Sequence, residues 1–183
     1  MSVRIRTTVS LLDVAATVLV ADPAASLAQV AEAAGIGRTT LHKHFPTREA
    51  LLEAVGHRVI DQWDAAVTGI NPGDSADGGL LAMMAAVIPI GQQLAFLWRT
   101  PAFDHSPDIG QRWISAESRG LGVLLAARAR GVIAPGLPDW WIQRIFYSVI
   151  YVAAESVRTG HLAPRDAPGL ALSAFLGGVG AQR

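Results

Sequence analysis

In the stretch "GRTTLHKHF", Gly37 to Phe45, six of nine side chains can donate or accept hydrogen bonds. Arg38 can grip a guanine edge through two parallel bonds, and Thr39 and Thr40 can offer a base a hydroxyl or a methyl group. Lys43 is suited to phosphate oxygens, as is Arg48 just beyond. His42 can reach a phosphate and His44 shares the outer surface, while Leu41 and Phe45, four residues apart, face inward. These residue types, on one short helix, are those that read and hold nucleic acid.

Such a helix must be positioned by others, because an isolated helix of one to three turns is marginal in water. Ser26 is placed to cap a preceding helix carrying Leu27, Val30, Ala31 and Ala34 on one face. Gly35 stops that helix and Gly37 starts the next, so the pair hinges on Gly-Ile-Gly. An earlier helix bears Leu11, Leu12, Ala15, Ala16 and Leu19 and ends near Pro23. After Phe45-Pro46, Thr47 caps a fourth helix with Glu49 and Glu53 near its positive end and Leu51, Leu52, Val55, Val59 and Trp63 as its stripe. The first backbone N–H groups of that helix can also face a phosphate. A helix-turn-helix fits this arrangement, its second helix lying in the major groove. Periodicity alone fits equally a helical hairpin inside an ordinary all-α protein.

The residue pattern is more specific. "SLAQVAEAAGIGRTTLHKHFPTREALLEAV" resembles the DNA-binding segment of TetR-like transcriptional repressors. Ala34, Gly35, Ile36, Thr40, Leu41, His44, Phe45, Pro46, Thr47, Arg48, Leu51 and Leu52 match that family's pattern, over about Leu12 to Val55. Gly37 replaces the usual Ser, His42 the frequent Tyr, and the segment before Ser26 is shorter than usual. The resemblance implies DNA contacts from Ser26, Arg38, Thr39, Thr40, His42, Lys43, His44, Thr47 and Arg48. It also implies a double-stranded operator with twofold symmetry, a body that binds a small-molecule effector, and dimerisation through the last two helices.

The whole chain of 183 residues is 51% apolar and 16% charged, enough to bury a substantial core. Its net charge is zero, so only local charge placement can serve a nucleic acid. Of 15 basic residues only Lys43 is lysine, an arginine bias read as codon composition. The absence of cysteine excludes disulfides and thiol catalysis. Neither a signal peptide nor a membrane span is read from the sequence, and a cytoplasmic location is expected. No stretch alternates for long with period two, and the apolar spacing favours helix throughout. "NPGDSADGG", Asn71 to Gly79, is the clearest linker by composition. Helices are expected at roughly 79–98, with a kink at Pro89, then 107–130, 138–159 and 166–180. The expected fold is all-α: a three-helix helix-turn-helix head over 1–60 and a helical-bundle ligand-binding and dimerisation body over 61–183.

In the body, "WWIQRIFYSVIYVAAESV" is apolar around most of its circumference, and a helix of that kind is buried on both sides. A homodimer is therefore expected, with Ile142, Ile145, Phe146, Val149 and Val152 from this helix and Leu172, Phe175 and Leu176 from the last one. For the cavity that the resemblance implies, the candidates are Trp63, Met83, Met84, Phe96, Trp98, Phe103, Trp113 and Tyr147, lining a site for an apolar or aromatic effector. Plain core packing is the competing account of each. His42 and His44 face different ways and make a poor metal pair, and no metal or cofactor site is expected. No nucleophile elbow, P-loop or dinucleotide fingerprint is present. Arg128 and Arg130 fit the C-terminal turn of their helix. The rival readings are a small all-α enzyme using Asp104, His105 and Glu117, and a helical protein-interaction adaptor.

Overall fold

The computed structural model describes residues 3–77, 79–101, 103 and 106–180, with backbone alone over 3–10. The helices are α1 (Val3–Ala21), α2 (Leu27–Ala33), α3 (Arg38–His44), α4 (Arg48–Val67), α5 (Leu80–Val87), α6 (Gly91–Arg99), α7 (Pro107–Ala129), α8 (Asp139–Arg158) and α9 (Ala167–Val179). Among the described residues there is no strand, only an isolated bridge between Ile133 and Gly180. The fold is all-α.

The expected helix over 79–98 is two helices, α5 and α6, joined by one tight turn at Ile88–Ile90. Pro89 has no N–H to continue the ladder, which accounts for the break. The segment Leu80–Arg99 is long and apolar enough to cross a membrane by composition alone, with a mean hydropathy of 1.8, a feature not anticipated from the sequence. Over half of it is buried inside the protein, however, as befits core helices.

Two compact units divide the chain: residues 1–62 with 93–113, and residues 63–92 with 114–183. Helix α4 runs unbroken from Arg48 to Val67, through residue 60 where the expected head ends. In the first unit, Leu11, Ala15, Ala16 and Leu19 of α1 are buried, as are Leu51, Leu52, Val55 and Val59 of α4. The Asp13 carboxylate ties these helices together, accepting from Arg58 Nε at 2.8 Å and from Gln62 Nε2 at 3.3 Å. Further along α4, His57 lies 3.0 Å from Asp108 and Asp61 pairs with Arg112, fixing α4 to the first turns of α7. Phe96 and Phe103 meet edge to face at 5.9 Å, and so do Trp98 and Trp113.

In the second unit α9 packs on α8 and on α5. The core stripe of α8 is Ile142, Phe146, Ile150 and Ala153, and that of α9 is Ala167, Ala171, Phe175 and Val179. Phe146 and Phe175 meet edge to face at 5.9 Å. Gly91 permits the approach of α8, since a Cβ there would lie 2.7 Å from that of Ala154. Arg128 ends α7 by donating to the Leu137 carbonyl at 3.1 Å and to Asp139 at 2.7 Å, while Arg130 reaches the Ser75 carbonyl.

Trp63 is wholly buried, and its indole N–H donates to the Ala116 carbonyl of α7 at 2.9 Å. Gly120 makes room for that ring: a Cβ would fall 2.3 Å from Trp63 Cζ2. Replacing Gly120 with Ala should therefore destabilise the protein by about 1–3 kcal/mol in denaturant titration, because the anchored indole cannot withdraw. Gly122→Ala, where nothing lies within 4 Å, should instead stabilise by up to about 1 kcal/mol.

Candidate nucleic-acid interface

The start of α2 is set by Ser26, whose Oγ accepts from the Gln29 backbone N–H at 3.3 Å. Gln29 returns the bond, its Oε1 accepting from the Ser26 N–H at 2.8 Å. This reciprocal capping box satisfies two backbone donors that the first turn leaves open. The sequence carries its signature, Ser-x-x-Gln, but only Ser26 was singled out from it.

At the other end of α2, Gly35 takes the left-handed conformation, φ 65°. Its N–H bonds to the Glu32 carbonyl and the Ile36 N–H to that of Ala31, each at 3.0 Å. This is the paired closure that ends helices at a glycine, and it turns the chain into α3 within four residues. Gly37 is the N-cap of α3 and makes no side-chain cap bond. Thr40 and Leu41 bond to its carbonyl at 2.9 and 3.1 Å.

Leu41 is fully buried and Phe45 is 7% exposed, so α3 is held by its inner face. Arg38, Thr39, Thr40, His42 and Lys43 are exposed, and His44 is half-buried with its ring 6.3 Å from that of Phe45. No acidic residue occurs between Glu32 and Glu49, so this surface is locally positive in a neutral chain. Thr47 caps α4, its Oγ1 accepting from the Ala50 N–H at 3.1 Å.

Two of the expected DNA contacts have other work. The Ser26 hydroxyl belongs to the capping box. The Arg48 guanidinium, assigned to phosphate from the sequence, bonds instead to the carbonyls of Pro23 and Ala25. It thereby ties the α1–α2 connection to the start of α4.

The other candidates divide by unit. Phe96, Trp98, Phe103 and Trp113 fall in the first, and Trp63, Met83, Met84 and Tyr147 in the second. Trp63, Met83 and Met84 are fully buried, whereas Tyr147 is half-buried and donates its hydroxyl to Glu117 at 2.9 Å. Of the expected dimer residues, Ile142, Phe146 and Phe175 are enclosed in the chain's own core and cannot reach a partner. Ile145, Val149, Leu172 and Leu176 are half-buried and Val152 is 61% exposed. Asp104 and His105, named for the enzyme reading, lie outside the described residues.

A braced, capped pair of short helices presenting an exposed basic face defines a helix-turn-helix DNA-binding protein. Residues 11–55 match the sequence model described as bacterial regulatory proteins, tetR family. The chain is 28% identical over 158 residues to the HTH-type transcriptional repressor LfrR of Mycolicibacterium smegmatis, covering 86% of this chain and 82% of that protein. The crystal structure of LfrR in complex with proflavine superposes with a TM-score of 0.76 at 23% identity, over 97% of this chain and 99% of that one. A TetR family regulator from Marinobacter aquaeolei superposes with a TM-score of 0.70 at 23% identity, over the full length of both. Residues 11–55 thus match the DNA-binding segment of the tetR family, and over most of its length the chain is similar to TetR-like transcriptional regulators. The relatives compared are regulators rather than enzymes.

Two outcomes follow for this surface. Ser26→Ala should cost about 1 kcal/mol of stability through loss of the cap, read by thermal or denaturant unfolding. Lys43→Ala should weaken DNA binding evenly across sequences and reduce the salt slope of log K by about one, read by titration at several salt concentrations.

Proposed function

We propose that the protein represses transcription as a symmetric dimer on a palindromic operator and leaves it when a small molecule binds the body. The observation that carries this reading is the outer face of α3: exposed Arg38, Thr39, Thr40, His42 and Lys43 on a helix whose inner face is locked by Leu41. Arg38 and the threonines read bases, and Lys43, His42, His44 and Thr47 hold backbone. Residues 1–60 act as the DNA-binding head and 61–183 as the sensing and pairing body. The protein works where chromosomal DNA is, in the cytoplasm, and performs no chemistry of its own.

Dimerisation is supported by the apolar surface that α8 and α9 leave uncovered. Val152 and Leu170 are 61% and 59% exposed, and Ile145, Val149, Leu172 and Leu176 lie partly open beside them. A Cβ at Gly169, Gly177 or Gly178 of α9 would meet nothing within 4 Å, so another backbone can come close there. A twofold pairing through this face sets two α3 helices on two half-sites.

The effector reading is supported by the aromatic side chains of the body and by the LfrR complex, whose proflavine is a flat aromatic molecule. An effector acts by favouring a state whose two α3 helices no longer match the operator spacing. Trp63, Met83, Met84 and Tyr147 of the second unit are the side chains proposed to shape its site.

The test is selection of genomic DNA fragments by the purified protein, repeated across salt and with proflavine added. Enrichment of one palindromic site, lost on addition of the dye, is the expected result. Salt-sensitive binding with no preferred sequence would overturn the operator reading.

A further inference from the structure

We propose that Arg48 sets how well the protein discriminates its operator from other DNA, without touching DNA, by clasping the two ends of the helix-turn-helix together. This deepens the operator reading above and rests on it.

Arg48 and its partners lie at opposite ends of the DNA-binding pair. Ala25 precedes α2 with only the Ser26 cap between them, and Arg48 follows Phe45, the C-cap of α3, by three residues. The guanidinium reaches back 23 residues, where Nη1 donates to the Ala25 carbonyl, and 25 residues, where Nη2 donates to that of Pro23. The loop so closed holds α2, the turn at Gly35 and α3, and little else.

Water cannot simply replace this clasp. Ala25 is 1% exposed, and no backbone N–H among the described residues donates to its carbonyl. A buried carbonyl deprived of its donor costs its full desolvation, so the chain must shift to wet it once Arg48 lets go. Little else resists that shift. Of residues 22–26 only Ala25 is buried, which leaves one methyl group as the apolar anchor of the connection. Arg48 is also the first residue of α4, at the positive end of the helix, where a cation is disfavoured unless acceptors hold it.

Helix α2 packs on α1 and on α3, so movement of its first turn is passed to α3. Base readout depends on alignment, because a bidentate contact such as arginine with guanine is geometric. Attraction between Lys43 and phosphate is not read from sequence and survives a small displacement. Opening the clasp therefore costs sequence preference more than general affinity. A lost phosphate contact has the opposite signature, weakening all sequences alike and lowering the salt slope.

The experiment uses the intact protein with Arg48→Lys, which keeps the charge but replaces two nitrogens fixed in a plane with one ammonium. Arg48→Ala is the second variant, and both are compared with wild type at a temperature where circular dichroism shows all three folded. Amide hydrogen exchange without DNA should quicken over residues 24–29 and stay unchanged over 51–59. Affinity is then measured, across salt, for the duplex that wild type enriches from genomic DNA and for poly(dI-dC). Both variants should bind the enriched duplex roughly tenfold or more weakly, with Arg48→Lys unchanged on poly(dI-dC) and the salt slope unchanged in both. Full operator preference in Arg48→Lys, or a slope lower by about one in Arg48→Ala, would overturn the proposal and return Arg48 to phosphate. Unchanged exchange over 24–29 would overturn it while leaving the operator reading intact. A wild type that enriches no site would remove both.

Discussion

Seven residues of α3 cannot hold a helix together by themselves, and everything the protein can do to DNA depends on burying Leu41 and Phe45. Those two side chains fix the helix by one face and so decide which side chains remain outside. The constraint passes outward through polar ties. Gly35 sets the angle of entry, the capping box of Ser26 and Gln29 holds the bracing helix, and Arg48 ties the segment before α2 to the start of α4. Asp13, shared by Arg58 and Gln62, then joins α1 to α4. None of these groups needs to touch DNA to govern how α3 meets it.

The second unit uses its apolar residues differently. Stripes of α8 and α9 close on each other through Phe146 and Phe175, and their outer stripes remain open. A single chain thus satisfies its own core and still carries surplus apolar surface on the same two helices. The Trp63 indole, pinned between Ala116 and Gly120, meets the Tyr147 ring edge to face, and the Tyr147 hydroxyl donates to Glu117.

Local chemistry was the legible part of the sequence. Ser26 as a cap, Gly35 as a stop and the inward spacing of Leu41 and Phe45 each follow from a few neighbouring residues, and the structure has them, while the kink expected at Pro89 is a full break between two helices. Partners distant in sequence were not legible. Arg48 was assigned to phosphate because nothing in its neighbourhood shows that the carbonyls of Pro23 and Ala25, more than twenty residues earlier, come within its reach. Ile142, Phe146 and Phe175 were assigned to a dimer because a helix apolar all round does not reveal which stripe its own chain will claim. Glu117 was grouped with Asp104 and His105 as possible catalytic residues, whereas its partner is Tyr147, thirty positions further on.

The central claim is that the outer face of α3 selects the DNA sequence while the remainder of the molecule only presents it. The most direct test combines Arg38→Ala with Lys43→Ala and compares the variant with wild type for operator affinity, helix content and mass in solution. The account predicts loss of sequence-specific binding with helix content and mass unchanged. Binding that keeps the same sequence preference in the double variant would contradict it.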